Sequence, residues 1–466
     1  MNIRNLIIAS IAAYVAMAPS PSQAATPEVT NVTMTQGGSG RLVTITYRLT
    51  EDAVVTLDVQ TNATPNAATG WASIGGAAIC NAQGAVWRKV TSADADGNGN
   101  YTITWRPDLS WLDEFGNGFK IADGCAKAVV TAWSLDNTPN YMVVDISAGA
   151  QPNTQRYYPA ADFIPGGLLG MDEYRTTMIV MRKIMAKDVV WTMGSTLQET
   201  QRKPQLCTDE DTHAVQLTNN YYIGVFEVTQ TQWALIQTGR PTPAKHSVEG
   251  AMRPVEDVCY NEIRNAAADT TAATAAYNWP AAPNPASFLG LLRTKTGIDF
   301  DLPSEAQWEF ACRAGHGDTK YGDGSTIMNA LREADANLDR LARYRMNSGM
   351  SGIAEPSDGG PTNCTAIVGS YEPNSWGLYD MLGNVWEQSL DWCESDITGF
   401  NGAVNIDPAN SAKTLSGATG SNRTIRGGGW NHYGIPHCRP ATRLAFSPTG
   451  RDKAIGFRVV CTAGLQ

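Results

Sequence analysis

The chain has 466 residues, 42% hydrophobic and 17% charged, which suits two or three globular domains and excludes general disorder. With 35 basic against 45 acidic residues its formal charge is -10, so its field repels a phosphate backbone and nucleic acid is not an expected partner. No Walker-type phosphate loop, HExxH helix or GxSxG elbow occurs, which removes the enzyme classes those signatures mark.

The amino terminus comes first. Arg4 precedes an apolar run over residues 6–18, and small residues follow up to Ser22-Gln23-Ala24, the layout of a secretory signal. Pro19 and Pro21 stop the run short of the ~20 apolar residues a membrane span needs. The expectation is a signal peptide over 1–25, an exported chain (periplasmic, cell-surface or secreted) and no stable membrane span.

Over 26–148, short runs alternate apolar and polar residues. Val43, Ile45, Tyr47 and Leu49 share one face, as do Val55, Leu57 and Val59, and Tyr101, Ile103 and Trp105; "AVVTAW" and "YMVVDI" continue the series. Turn clusters such as "DADGNGN" separate these runs, a pattern that predicts an all-β sandwich of immunoglobulin-like type. Residues 149–187 read as a Pro/Gly-containing connecting region ending in a strand, "TTMIVMRKI".

From 188 to 466 tryptophans and glycines recur in irregular loops. "DLPSEAQWEFACRAG" is a helix, with Ser304 and Gln307 forming a capping box and Gly315 placed to stop it. Glu309 lies four residues before Arg313, the spacing of a helical ion pair. A second helix begins near "PVEDVCYNEIRNAA", and "SFLGLLRTKTG" resumes an amphipathic pattern after an Ala/Thr/Pro-rich insertion. The nine cysteines are odd in number and irregularly spaced; Cys80 and Cys125 are the candidates for a bridge in the first domain.

Seven stretches stand in a telling order: "WTMGS", "YYIGVFEVTQTQW", "RPVEDVCYNE", "DLPSEAQWEFACRAG", "GLYDMLGNVWE", "RTIRGGGW" and "AIGFRVV". Together they resemble the sulfatase-modifying-factor family, which includes the formylglycine-generating enzymes, over residues 188–462. The resemblance implies an α+β domain of the formylglycine-generating-enzyme fold, C-type-lectin-like and poor in regular secondary structure. It implies an exported protein or peptide substrate, a cysteine oxidised to formylglycine, and a copper ion held by two cysteines. It also implies calcium, with side-chain oxygens from Asn384 and Glu387 and carbonyls from Val385 and Ser389, hard ligands of the kind calcium takes. Asn337 and Leu338 resemble the start of a second calcium site. Without the family, Asn384 and Glu387 read as a capped turn packed beside Trp386.

The stretch "RGGGWNHYGIPHCRPATR" departs from the family's pattern. Gly429 occupies a serine position, His432 the first cysteine position, and His437 or Cys438 the second. Three readings stay open: a mixed imidazole and thiolate metal site, a thiol site at Cys438 activated by a histidine, or a buried Cys438 with His432 and His437 on the rim of a cleft. Trp430, Arg426 and Gly429 are the candidate substrate contacts beside them. Arg426, Arg443 and Arg458 suit holding carboxylates or carbonyls, because guanidinium is a permanent multi-donor fork. Two functions follow: an exported formylglycine-generating-enzyme-like oxidase maturing a cysteine-containing protein such as a sulfatase, or a noncatalytic module binding a glycan or protein.

Overall fold

The computed structural model describes residues 26–37, 41–196, 210–238, 250–264, 283–328, 334–349, 364–393, 404–406, 422–433 and 437–464. The expected signal peptide, residues 1–25, lies outside them, as does the Ala/Thr/Pro-rich insertion apart from its last residues.

The alternating runs form two facing sheets. One is ordered Val29–Gln36, Val43–Leu49, Tyr101–Trp105, Gln83–Gly84; in the other, Ala53–Thr61 pairs with Ala72–Ser73, Arg88–Val90 and Ala126–Trp133. Val43, Ile45 and Tyr47 on one sheet meet Val55, Leu57 and Val59 on the other in one buried core, as period-two alternation requires. Both Cys80 and Cys125 are free thiols, so the expected bridge between them is absent. Cys393, by contrast, is disulfide-bonded.

"YMVVDI" is a correction to the sandwich reading. Tyr141–Asp145 pairs antiparallel with Arg156–Tyr158 and with Met178–Ile184, not with either sandwich sheet. With Tyr221–Gly224 and Val460–Thr462 these strands build a five-stranded antiparallel sheet at the centre of the chain. All the residues of the Tyr141 strand except Asp145 are buried, because both faces of this sheet are covered. The region read as a connector is therefore packed structure: it supplies an edge strand, and Tyr157 and Tyr158 are buried. Val54 joins the core of the second domain while its neighbours Ala53 and Val55 face the sandwich core.

Helix is sparse and strands are short and many, so the chain is mixed α and β. Glu305–Arg313 is the helix that positions the candidate site. Ser304 accepts from the Gln307 backbone N–H, and Gln307 accepts from the Ser304 N–H, as the capping box predicts. The helix ends one residue before the expected stop, with Ala314 left-handed at φ 48° and Gly315 following at φ 84°. Phe288–Thr296 forms with Ser287 as its cap, whereas the "PVEDVCYNEIRNAA" helix is confirmed only over Tyr260–Ile263 among the described residues. No helix among the described residues is long and apolar enough to cross a membrane.

Candidate functional site

The helix Glu305–Arg313 lies against a four-stranded sheet ordered Arg443–Phe446, Arg423–Arg426, Trp386–Trp392, Ile455–Gly456. Glu305, Trp308 and Glu309 stand at the i, i+3, i+4 spacing of one helix face, and that face meets the strands. Glu305 pairs with Arg443, Glu309 with Arg426 and with Arg313 at 2.8 Å, and Trp308 Nε1 donates to Glu387 at 2.8 Å. Glu387 in turn takes Arg458 on both oxygens at 2.7 Å. Buried carboxylates need such partners, because desolvating an unpaired charge costs several kcal/mol, roughly. Burial works against the Glu309 charge, yet the guanidiniums of Arg313 and Arg426 outweigh it and hold the carboxyl below its ordinary range.

The arginines therefore do as expected of guanidinium forks. One consequence corrects a candidate: Arg426 has no exposed surface, and its nitrogens are on Glu309 and the Thr442 carbonyl. Trp430 is 1% exposed with its Nε1 on the Lys453 carbonyl at 3.1 Å, and Gly429 lies under Ala454 and Trp386, where an added Cβ would approach to 3.0 Å. None of these three presents a face to a ligand.

Beyond strand Arg423–Arg426 the chain turns through Gly427 and Gly428, both left-handed. At Gly428, φ +85°, a Cβ would stand 2.5 Å from Cys438 Sγ, so the thiol packs directly beneath the turn. Cys438 has no exposed surface, lies in the cluster of Cys312, Leu341, Met381 and Leu382, and burial pushes its thiol up to about 12. A thiol buried and raised in this way is a poor nucleophile in the folded chain.

His432 and His437 do come together, with ring centroids 5.0 Å apart and Trp386 beside both. Burial chiefly lowers the His432 pKa, Arg345 adding to that effect, so its ring is neutral at neutral pH. Trp386 Nε1 donates to His432 Nδ1 at 3.2 Å. A neutral imidazole has one free lone pair, and this bond engages it, which leaves the proton on Nε2. The set His432, His437 and Cys438 thus does not fit copper in this arrangement, because the sulfur is sealed beneath the Gly428 turn and the first imidazole's lone pair is engaged by Trp386.

Calcium meets the same test. Asn384 Oδ1 accepts from the Ala366 N–H at 2.8 Å, and its amide donates to Glu227 at 2.6 Å. Arg458 holds both oxygens of Glu387, where a cation would meet a guanidinium, and the Ser389 hydroxyl donates to the Thr424 carbonyl. Val385 gives its N–H to Glu227 at 3.2 Å. Asn337 donates to the Thr326 carbonyl, and Leu338 is buried in the helical turn Leu338–Leu341. Among the described residues no three His, Cys, Asp or Glu side chains gather as a metal shell. The side-chain oxygens of Asn384 and Glu387 are thus engaged within the fold, as in a capped turn beside Trp386, whereas the bonds of Val385 and Ser389 use an N–H and a hydroxyl and not the carbonyls expected to reach calcium.

Sequence reasoning missed Glu227. It is buried under that turn, and burial first, then Asp380 and Glu387, push its carboxyl well above the ordinary range. A second feature missed is a cleft of about 280 Å³ away from the loop, between Trp191, Phe310, Arg313, His316 and Asp318. Trp191 and Phe310 meet at 5.2 Å on its wall, and Trp376 backs Phe310 at 5.3 Å. The only signal for it was the "WTMGS" stretch, whose tryptophan reads equally as core.

With this geometry, likeness to known proteins can be stated. A formylglycine-generating enzyme of Thermomonospora curvata is 31% identical over 167 residues, which are 34% of this chain and 48% of that protein. That of Streptomyces coelicolor is 30% identical over 173 residues, 35% of this chain and 47% of the relative. The chain thus spans about half the length of these curated relatives. Among solved structures, Treponema denticola variable protein 1 aligns over 61% of this chain and 96% of its own at 24% identity, with a TM-score of 0.43. The description "Sulfatase-modifying factor enzyme 1-like domain" matches residues 174–463, starting at 174 where the sequence motifs had begun at 188. That match takes in the strand Met178–Ile184, the helix Glu305–Arg313 and the His432 loop, and the chain belongs to the sulfatase-modifying factor enzyme 1-like family.

Proposed function

We propose that this chain is an exported, noncatalytic member of its family that binds a glycan. One observation carries the reading: the groups standing at the family's reaction position are engaged inside the fold, with Cys438 buried beneath the Gly428 turn and the His432 lone pair on Trp386. Export rests on the signal-like residues 1–25.

Binding needs a concave, partly apolar surface, and the Trp191 cleft supports it. An indole face accepts the apolar face of a sugar ring, while Thr192, Thr212 and His316 on the same lining carry polar groups that fix a ring's orientation. A glycan array probed with the full chain tests the reading. Binding is expected, lost on Trp191→Ala and kept in the double variant His432→Ala, Cys438→Ala. Binding that disappears in the double variant and survives Trp191→Ala sinks it, and binding confined to a peptide array corrects the ligand class.

A further inference from the structure

We propose that the loop over residues 106–125 is a docking hairpin for a protein segment that sets lysine or arginine beside apolar side chains. It lies in the sandwich, outside the residues the family description matches, and it stands whether or not the Trp191 cleft binds a glycan.

Five large apolar side chains are exposed between residues 109 and 121: Leu109 by 62%, Leu112 by 42%, Phe115 by 79%, Phe119 by 49% and Ile121 by 39%. Single exposed apolar residues are ordinary, but a contiguous group on one loop marks an interaction surface. The loop is also held in shape. Leu112 bridges to Gly118, and Asp113 accepts from the N–H groups of Phe115 at 2.9 Å and Asn117 at 2.8 Å, which fixes Phe115 at the tip. Behind the tip, buried Trp105 stacks on Trp111 at 6.1 Å, and Trp111 stacks on Phe119 at 4.9 Å. This aromatic ladder runs from the sandwich core to the surface, so the Phe119 ring loses little conformational entropy when a partner covers it.

Charge selects the partner. Over residues 106–125, Arg106 pairs with Asp108, which leaves Asp113, Glu114 and Asp123 against Lys120, on a chain of net charge -10. A second copy or an anionic lipid surface would bring negative charge against these carboxylates, whereas a segment with basic flanks meets them with complementary charge.

The test titrates the full chain with a synthetic amphipathic helix of leucine and lysine, and with its leucine and glutamate counterpart, by calorimetry. The lysine peptide is expected to bind and the glutamate peptide not. Phe115→Ser, at an exposed position, should weaken binding about tenfold or more with thermal unfolding unchanged, and so should Glu114→Lys with Asp123→Lys. Equal binding of the two peptides, or no effect of Phe115→Ser, overturns the proposal. So does dimerisation in sedimentation, or binding to phosphatidylcholine–phosphatidylglycerol vesicles, that Phe115→Ser abolishes; either outcome gives the hairpin to a second copy or to lipid.

Discussion

Arg458 and Glu387 are both out of water and joined through two pairs of atoms at 2.7 Å. Removing one partner strands the other, so Arg458→Met is expected to lower stability by about 3–5 kcal/mol in urea unfolding, while Arg458→Met with Glu387→Leu recovers much of the loss. Cys438 gives a second expectation at this scale. Its thiol should resist iodoacetamide at pH 8 in the folded protein and react on denaturation, which mass mapping of the labelled cysteine reads directly. The arginine roles were legible because guanidinium chemistry admits few others. Glu227 was not, since the Asn384 it meets lies 157 residues away and nothing local marks the contact.

The helix Glu305–Arg313 was readable because its signals are local: Ser304, Gln307 and the residues after Arg313 set both ends. Ser304→Ala should cost about 1 kcal/mol, measurable as a shifted unfolding midpoint. The Gly427–Gly428 turn is a stricter element. Gly428→Ala meets both a left-handed backbone and the Cys438 sulfur, and is expected to lose about 1–3 kcal/mol, more than the cap variant. Strands were less legible than helices. The apolar run "YMVVDI" told that it is extended, but which sheet it joins is decided by pairing with Met178–Ile184, more than thirty residues on. Its buried neighbours on both faces are a central-strand feature that a period-two reading assigns to a sandwich.

At the scale of the whole molecule, pH separates two kinds of buried carboxyl. Glu309 has a depressed pKa when folded, so its contribution is present above the unfolded carboxylate value of roughly 4.3 and is lost as pH falls through the folded value. Glu227 behaves oppositely: its raised folded pKa means that its contribution is full below that unfolded value and declines as pH rises toward the folded one. Unfolding free energies measured across pH should therefore lose part of their decline above about pH 4.3 in Glu227→Gln. The family itself was legible from seven ordered motifs, and the start of the matched domain was not, because the strands before residue 188 carry no motif and enter the sheet by long-range pairing. The loop was half legible: the sequence pattern put His432, then His437 or Cys438, where the resemblance expects a cysteine pair, and only packing shows Cys438 beneath Gly428 and His432 bonded to Trp386. Incubation of the full chain with copper, oxygen and a cysteine-bearing sulfatase-type peptide, followed by mass spectrometry of the peptide, addresses that position most directly. An unchanged peptide is the expected result, and conversion of its cysteine to the aldehyde would contradict the account.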